Sequence, residues 1–103
     1  MNFNYQQMMK QAKMVQKEME RVQEELKETK FEASSGGGAV KAVVNGDQEL
    51  LEIKINKDAF DPEDIEMLED MILVAVKDAI NQSKEESKSR LMGITGGFNI
   101  PGL

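Results

Sequence analysis

The feature that most constrains this chain is the stretch Asn4 to Leu26, where Tyr5, Met8, Ala12, Val15, Met19, Val22 and Leu26 are spaced alternately three and four residues apart. That spacing is a heptad seam, and it predicts one long helix ending near Lys27. Asn4 can cap the helix, Gln7 stands three residues on as its capping-box partner, and Phe3 can staple onto Met8. At about 100° per residue, Lys10, Lys13, Lys17 and Arg21 gather on the side away from the seam. One side of the helix asks for a protein surface, and the other presents cations.

Beyond Thr29 the period shortens to two. Phe31 and Ala33 alternate with polar residues, a small-residue loop from Ser34 to Gly38 follows, and Val40, Ala42 and Val44 form the next apolar set. Asn45-Gly46 signals a hairpin, because both residues tolerate positive φ, and the return strand is Leu50 to Ile55. If the loop is Asn45 to Gln48, Lys41 stands opposite Glu52, and Leu51 and Ile53 share a face with Val40, Ala42 and Val44. The expected sheet is a three-stranded antiparallel meander with one apolar face and two open edges.

A second helix is announced by Asp61 as cap, Pro62 in the first turn, and Phe60 placed to staple onto Ile65. Its seam runs through Ile65, Leu68, Ile72, Ala75 and Ala79, joined by Val76 and Ile80. The polar run Asn81 to Arg90 has no Gly or Pro, so the helix is expected to continue to about Leu91. The fold class is therefore α+β: one domain over residues 1–92, with a flexible Gly-rich tail over residues 93–103.

With 103 residues the chain has room for one domain, and a small one buries a modest share of its surface, so a partner chain can supply missing core. It has no Cys and no His, which removes thiolate and imidazole metal sites and Cys or His catalysis, and no cofactor is expected. Adjacent acids such as Glu24 and Glu25 point to different faces of a helix, which argues against paired-carboxylate chemistry and against an enzyme acting on a small-molecule substrate. Gly36 to Gly38 leads into a strand where a phosphate-binding loop would lead into a helix. No signal peptide is evident, and the longest apolar run, Met71 to Val76, is too short for a membrane span, so the expectation is a soluble cytoplasmic protein with no membrane partner.

The net charge of −6 speaks against a polyanionic partner until its distribution is considered. Met1 to Lys17 holds three Lys and no acid, Glu18 to Glu32 holds six acids and three bases, and Asp58 to Met71 holds seven acids and no base. If the helices run antiparallel, Lys84, Lys88 and Arg90 lie beside the outer half of the first helix and complete a basic tip above an acidic base. A solvated face is the plain alternative for such stripes.

Six segments stand out in order along the chain: Met9-Lys10-Gln11-Ala12 with Met19, Ser35-Gly36-Gly37-Gly38, Val40-Lys41, Val44-Asn45-Gly46, Glu52-Ile53-Lys54-Ile55 and Met67-Leu68-Glu69-Asp70. Taken together, they resemble the YbaB/EbfC family of bacterial nucleoid-associated DNA-binding proteins. Each is a common device, and their order and spacing carry the likeness. The resemblance implies a homodimer with associated sheets and helices projecting like tweezers. It also implies binding to double-stranded DNA and a role in nucleoid organisation or gene regulation. Charge geometry, rather than the resemblance, nominates Lys10, Lys13, Lys17, Arg21, Lys84, Lys88 and Arg90 as phosphate contacts. The rival reading is a protein-binding module, since two long helices joined by a small sheet also resemble prefoldin-type chaperone subunits and eight Met can make an adaptable apolar surface.

Overall fold

The structure, a computed structural model, describes residues 4–98, with the side chains of residues 4–94. Helix α1 spans Tyr5–Glu28, strands β1, β2 and β3 span Lys30–Ser35, Val40–Asn45 and Leu50–Ile55, and helix α2 spans Ile65–Phe98. The strands form one antiparallel sheet in the order β1-β2-β3, as the alternating pattern predicts. A short 3-10 turn, Lys57–Ala59, links β3 to α2.

Local signals set most boundaries. The Asn4 side chain accepts from the Gln7 backbone N–H at 3.1 Å, which satisfies one of the orphan donors of the first turn. The staple expected from Phe3 lies outside the described residues, as do residues 99–103 of the expected tail. Helix α2 departs from expectation at both ends. Asp61 caps an isolated turn by accepting from Glu63 N at 2.9 Å, whereas Asp64 caps the helix by accepting from Met67 N at 3.1 Å. Pro62 therefore sits in the preceding turn and not in the first turn of the helix. At the other end α2 runs past Leu91 and through Gly93 to Phe98.

The first core forms where α2 lies across β1 and β2. Val40, Ala42 and Val44 are fully buried with Ala75 and Ala79, flanked by Phe31, Leu68, Met71, Ile72, Val76 and Ile80. Burying such side chains stabilises the fold by roughly 1.5–3 kcal/mol each. Ser35 Oγ donates to the Met71 carbonyl at 2.5 Å, and the turn after β1 takes Gly36 to φ 61 with Met71 directly beneath it. A side chain at Gly36 would meet both penalties: a left-handed backbone and the Met71 sulfur.

The β2–β3 hairpin corrects two expectations. Lys41 faces Lys54, Ala42 faces Ile53 and Val40 faces Ile55, with an irregularity at Val43/Val44 that pairs Val44 with Leu50. Asn45 N bonds the Glu49 carbonyl, so the loop is shorter than expected, and together with the extra residue this shifts the ladder by two positions; Lys41 pairs with Glu32 of β1 at 3.7 Å and Glu52 with Lys54 at 3.5 Å. The positive φ falls on Gln48, at 63°, and not on Asn45 or Gly46. Asn45 is needed for its side chain, whose Oδ1 accepts from Asp47 N and Glu49 N at 3.0 Å each. Gly46 is needed for proximity: its N–H donates to the Leu26 carbonyl at 2.6 Å, and a Cβ there would collide with Leu26.

That hairpin is also where the helices are fixed. Fully buried Ser83 donates to the Asn45 carbonyl at 2.6 Å, Ser87 donates to the Gly46 carbonyl at 2.8 Å, and Gln48 Nε2 reaches both Gly46 O and Ser83 Oγ. Beyond this clamp α2 leaves the sheet and runs antiparallel beside α1. A second core gathers Val15, Val22 and Leu26 with Ile94, and Met19, Leu91 and Phe31 pack on it. The molecule is a rod, 74 × 20 × 15 Å.

Candidate nucleic-acid interface

The heptad seam of α1 divides in two. Its lower half, Val15 to Leu26, is buried against α2 and Phe31. Its upper half stands clear, with Tyr5, Met8 and Ala12 all exposed. The reason is register: the clamp sets Ser87 beside Gly46 and Leu26, so Leu91 faces Gln23 and Ile94 faces Val22. By that register the end of α2 lies about level with Val15. Asn4 to Met14, roughly 15 Å of helix, projects past it.

The same register separates the seven nominated cations. Lys10 and Lys13 are exposed on the projecting part of α1 and Lys17 is exposed just below it, and none of the three makes an ion pair among the described residues. Lys84, Lys88 and Arg90 are exposed on α2, but level with the acidic stem of α1. The single basic tip expected from both helices is therefore not formed. One helix carries it: Lys84 and Lys88 lie about 20 Å away along the rod at 1.5 Å per residue, while Arg90 stands beside Arg21 and Glu18 of the stem.

Two of the seven are already occupied. Arg21 Nε donates to both Glu18 oxygens at 3.1 Å, and its other nitrogens bond Glu18 and Glu25. Hydrogen bonding by Arg21 holds the Glu18 carboxyl below the usual carboxylate range, and the same bond raises Arg21 above its own ordinary value. Arg90 bonds Glu86 at 2.9 Å. Both arginines are spaced three or four residues from their acids on one helix, where such pairs form readily. The three lysines of the tip have no acid between Asn4 and Lys17 to pair with.

Sequence reasoning missed the exposed apolar groups beside those lysines, because a continuous seam reads as core. It also missed a second uncovered surface. α2 covers β1 and β2 but leaves all of β3 exposed, including Leu50, Leu51, Ile53 and Ile55. At 100° per residue Met67 and Val74 share one flank of α2, beside Ser35 and Gly36, while Ile65, Leu73 and Ile80 occupy the opposite flank, toward β3. Among the described residues no helix is long and apolar enough to cross a membrane.

The profile of the YbaB/EbfC DNA-binding family matches residues 1–98. The chain is 50% identical to a nucleoid-associated protein of Thermoanaerobacter pseudethanolicus, over 98% of this chain and 91% of the relative. It is 46% identical to a nucleoid-associated protein of Clostridium acetobutylicum, over 97% of this chain and 89% of that one. An uncharacterized protein of Helicobacter pylori, known from its crystal structure, has the same fold, with a TM-score of 0.78 at 25% identity over 90% of this chain and 98% of its own. An α+β fold with a bare cationic helix end and a full-length match of this kind establishes the lineage: the chain belongs to the YbaB/EbfC DNA-binding family.

Proposed function

We propose that two copies of this chain associate and bind double-stranded DNA largely through phosphate contacts, contributing to nucleoid organisation or gene regulation. The observation that carries the reading is the cationic end of α1, where Lys10 and Lys13 on the projecting part and Lys17 just below it are exposed and form no ion pair among the described residues, in a family of DNA-binding proteins. Uncompensated cations on a projecting helix recruit phosphates by releasing condensed counterions, and this works locally even when the whole molecule is acidic. Lys84 and Lys88 serve as a secondary contact on a bent or second segment of duplex. Arg21 and Arg90 contribute least, since each must first leave a carboxylate.

The uncovered β3 and the adjacent flank of α2 suit the second copy. Ile53 and Ile55 share a face with buried Ala42 and Val40, so they belong to a core that one chain leaves unfinished. The outer edge of β3 also carries unpaired backbone groups. Pairing places two α1 ends on one assembly, and two weak contacts on one duplex bind more tightly than either alone.

A gel shift across a salt series, with the mass of the protein measured in parallel, tests both halves. With about six phosphates neutralised, log affinity falls against log salt with a slope of roughly −5, and the mass is that of a dimer. A flat salt response would instead favour apolar client binding, the adaptor reading, and a monomer at working concentration would remove the dimer.

A further inference from the structure

The apolar side chains at the projecting end of α1 are unexplained by phosphate contacts. Tyr5 is 63% exposed, Met8 41% and Met9 43%, with no part of the described fold covering them. Around the helix axis Tyr5, Met8, Met9 and Ala12 span about 100°, and Lys10, Lys13 and Lys17 span about 60° on an adjoining side. We propose that this end of α1 lies in a DNA groove, with Tyr5, Met8 and Met9 against sugar and base surface while the three lysines hold the phosphates of one flanking strand. The inference rests on the DNA-binding reading above and names a contact class that reading leaves out.

Charge selects the occupant. A second copy of the same helix end would add three more unpaired lysines and no acid, so like charges oppose that contact. The occupant must join an anionic rim to an apolar interior within one helix width. A DNA groove has that arrangement: phosphates line its walls, while thymine methyls and base and sugar carbons line its floor. An anionic lipid surface offers similar chemistry, and the DNA-binding family favours the duplex. Aromatic and thioether contacts of this kind add affinity without a donor and acceptor code, so they bring little sequence preference.

The chain supplies its own probe, since Tyr5 is its single Tyr and it has no Trp. The full-length protein is titrated with duplex DNA, and separately with phosphatidylglycerol vesicles, while tyrosine emission is followed. The salt series is repeated for Tyr5→Ala, Tyr5→Phe and Lys10→Gln, with far-UV circular dichroism to check the fold. Support consists of emission that changes with DNA and saturates with the gel shift. Tyr5→Ala then loses affinity roughly 10-fold at every salt concentration with its slope unchanged, and Tyr5→Phe stays within about twofold. Lys10→Gln instead lowers the magnitude of the slope by about 0.9. The inference is overturned if DNA binds while emission and the Tyr5→Ala affinity stay as in the parent, in which case the phosphate reading stands alone. Emission that responds to vesicles and not to DNA also overturns it. If the parent protein binds no DNA, the DNA reading falls first and this one with it.

Discussion

Among the described residues, two of the apolar surfaces left open to solvent differ in what surrounds them. Around β3 and α2, Leu51, Ile53 and Ile55 on an open edge strand and Leu73 on the adjacent flank of the helix lie near a block with seven acids and no base from Asp58 to Met71. At the other end of the rod, Tyr5, Met8 and Met9 lie beside three unpaired lysines with no acid. Apolar exposure alone would call both of them protein interfaces. The backbone and charge around each patch separate them: an unfinished sheet and core suit a second copy, and a cationic helix end suits a polyanion.

The largest test of that separation reverses the charge at one end only. Lys10→Glu, Lys13→Glu and Lys17→Glu together should lower DNA affinity by more than about 1000-fold at low salt while sedimentation still reports a dimer. Unchanged DNA binding would move the contact surface elsewhere on the rod. The converse substitution, Ile53→Asp with Leu73→Asp, should weaken self-association by more than about 100-fold, because it places two charges in a desolvated contact. Helix content should be retained, since neither side chain is buried in the single chain, Leu73 being 53% and Ile53 37% exposed. A double variant that remains a dimer at micromolar concentration would put the partner on another face.

The smallest effect is a gain. Glu18→Gln leaves Arg21 with only Glu25 as a partner and should raise DNA affinity roughly threefold, because a charge formerly masked becomes available. The pH dependence has a definite sign. The Glu18 carboxyl titrates below its unfolded value, so the pair's contribution is complete above the ordinary carboxylate range and is lost as pH falls through the lowered folded value. At neutral pH the parent protein thus keeps Arg21 masked, and a Glu18→Gln variant with parental affinity would mean that the stem does not touch DNA.

Much of this architecture is legible one segment at a time. Asn4 sets the start of α1, alternation sets the three strands, and the spacing from Leu68 to Ile80 sets the buried side of α2. Each is a local rule with few competitors. What escapes local reading depends on contacts between distant residues. The cap of α2 moves from Asp61 to Asp64 because two acids three apart can each close a turn, and the first of them closes an isolated one. Asn45 pairing with Glu49 and the one-residue shift at Val43/Val44 together move Lys41 from Glu52 to Lys54. Most consequential is the placement of Ser83 and Ser87 against the hairpin, which sets how far α1 outruns α2. The nominated cations are therefore legible as charges but not as neighbours: Lys84 and Lys88 share a charge sign with Lys10 and stand apart from it in space.

The close approach of Gly46 to Leu26 has a mechanical meaning as well. It anchors the foot of α1, whose lower half also packs on α2, and Lys10 lies about 24 Å along the helix axis from that anchor. A tilt of about 10° at the anchor swings Lys10 by roughly 4 Å, close to the rise of one base pair. The helix is a lever whose fulcrum is a missing side chain. In the proposed dimer, small repacking at the hairpin would reset the span between the two lysine clusters, and with it the width and curvature of duplex that the pair would grip.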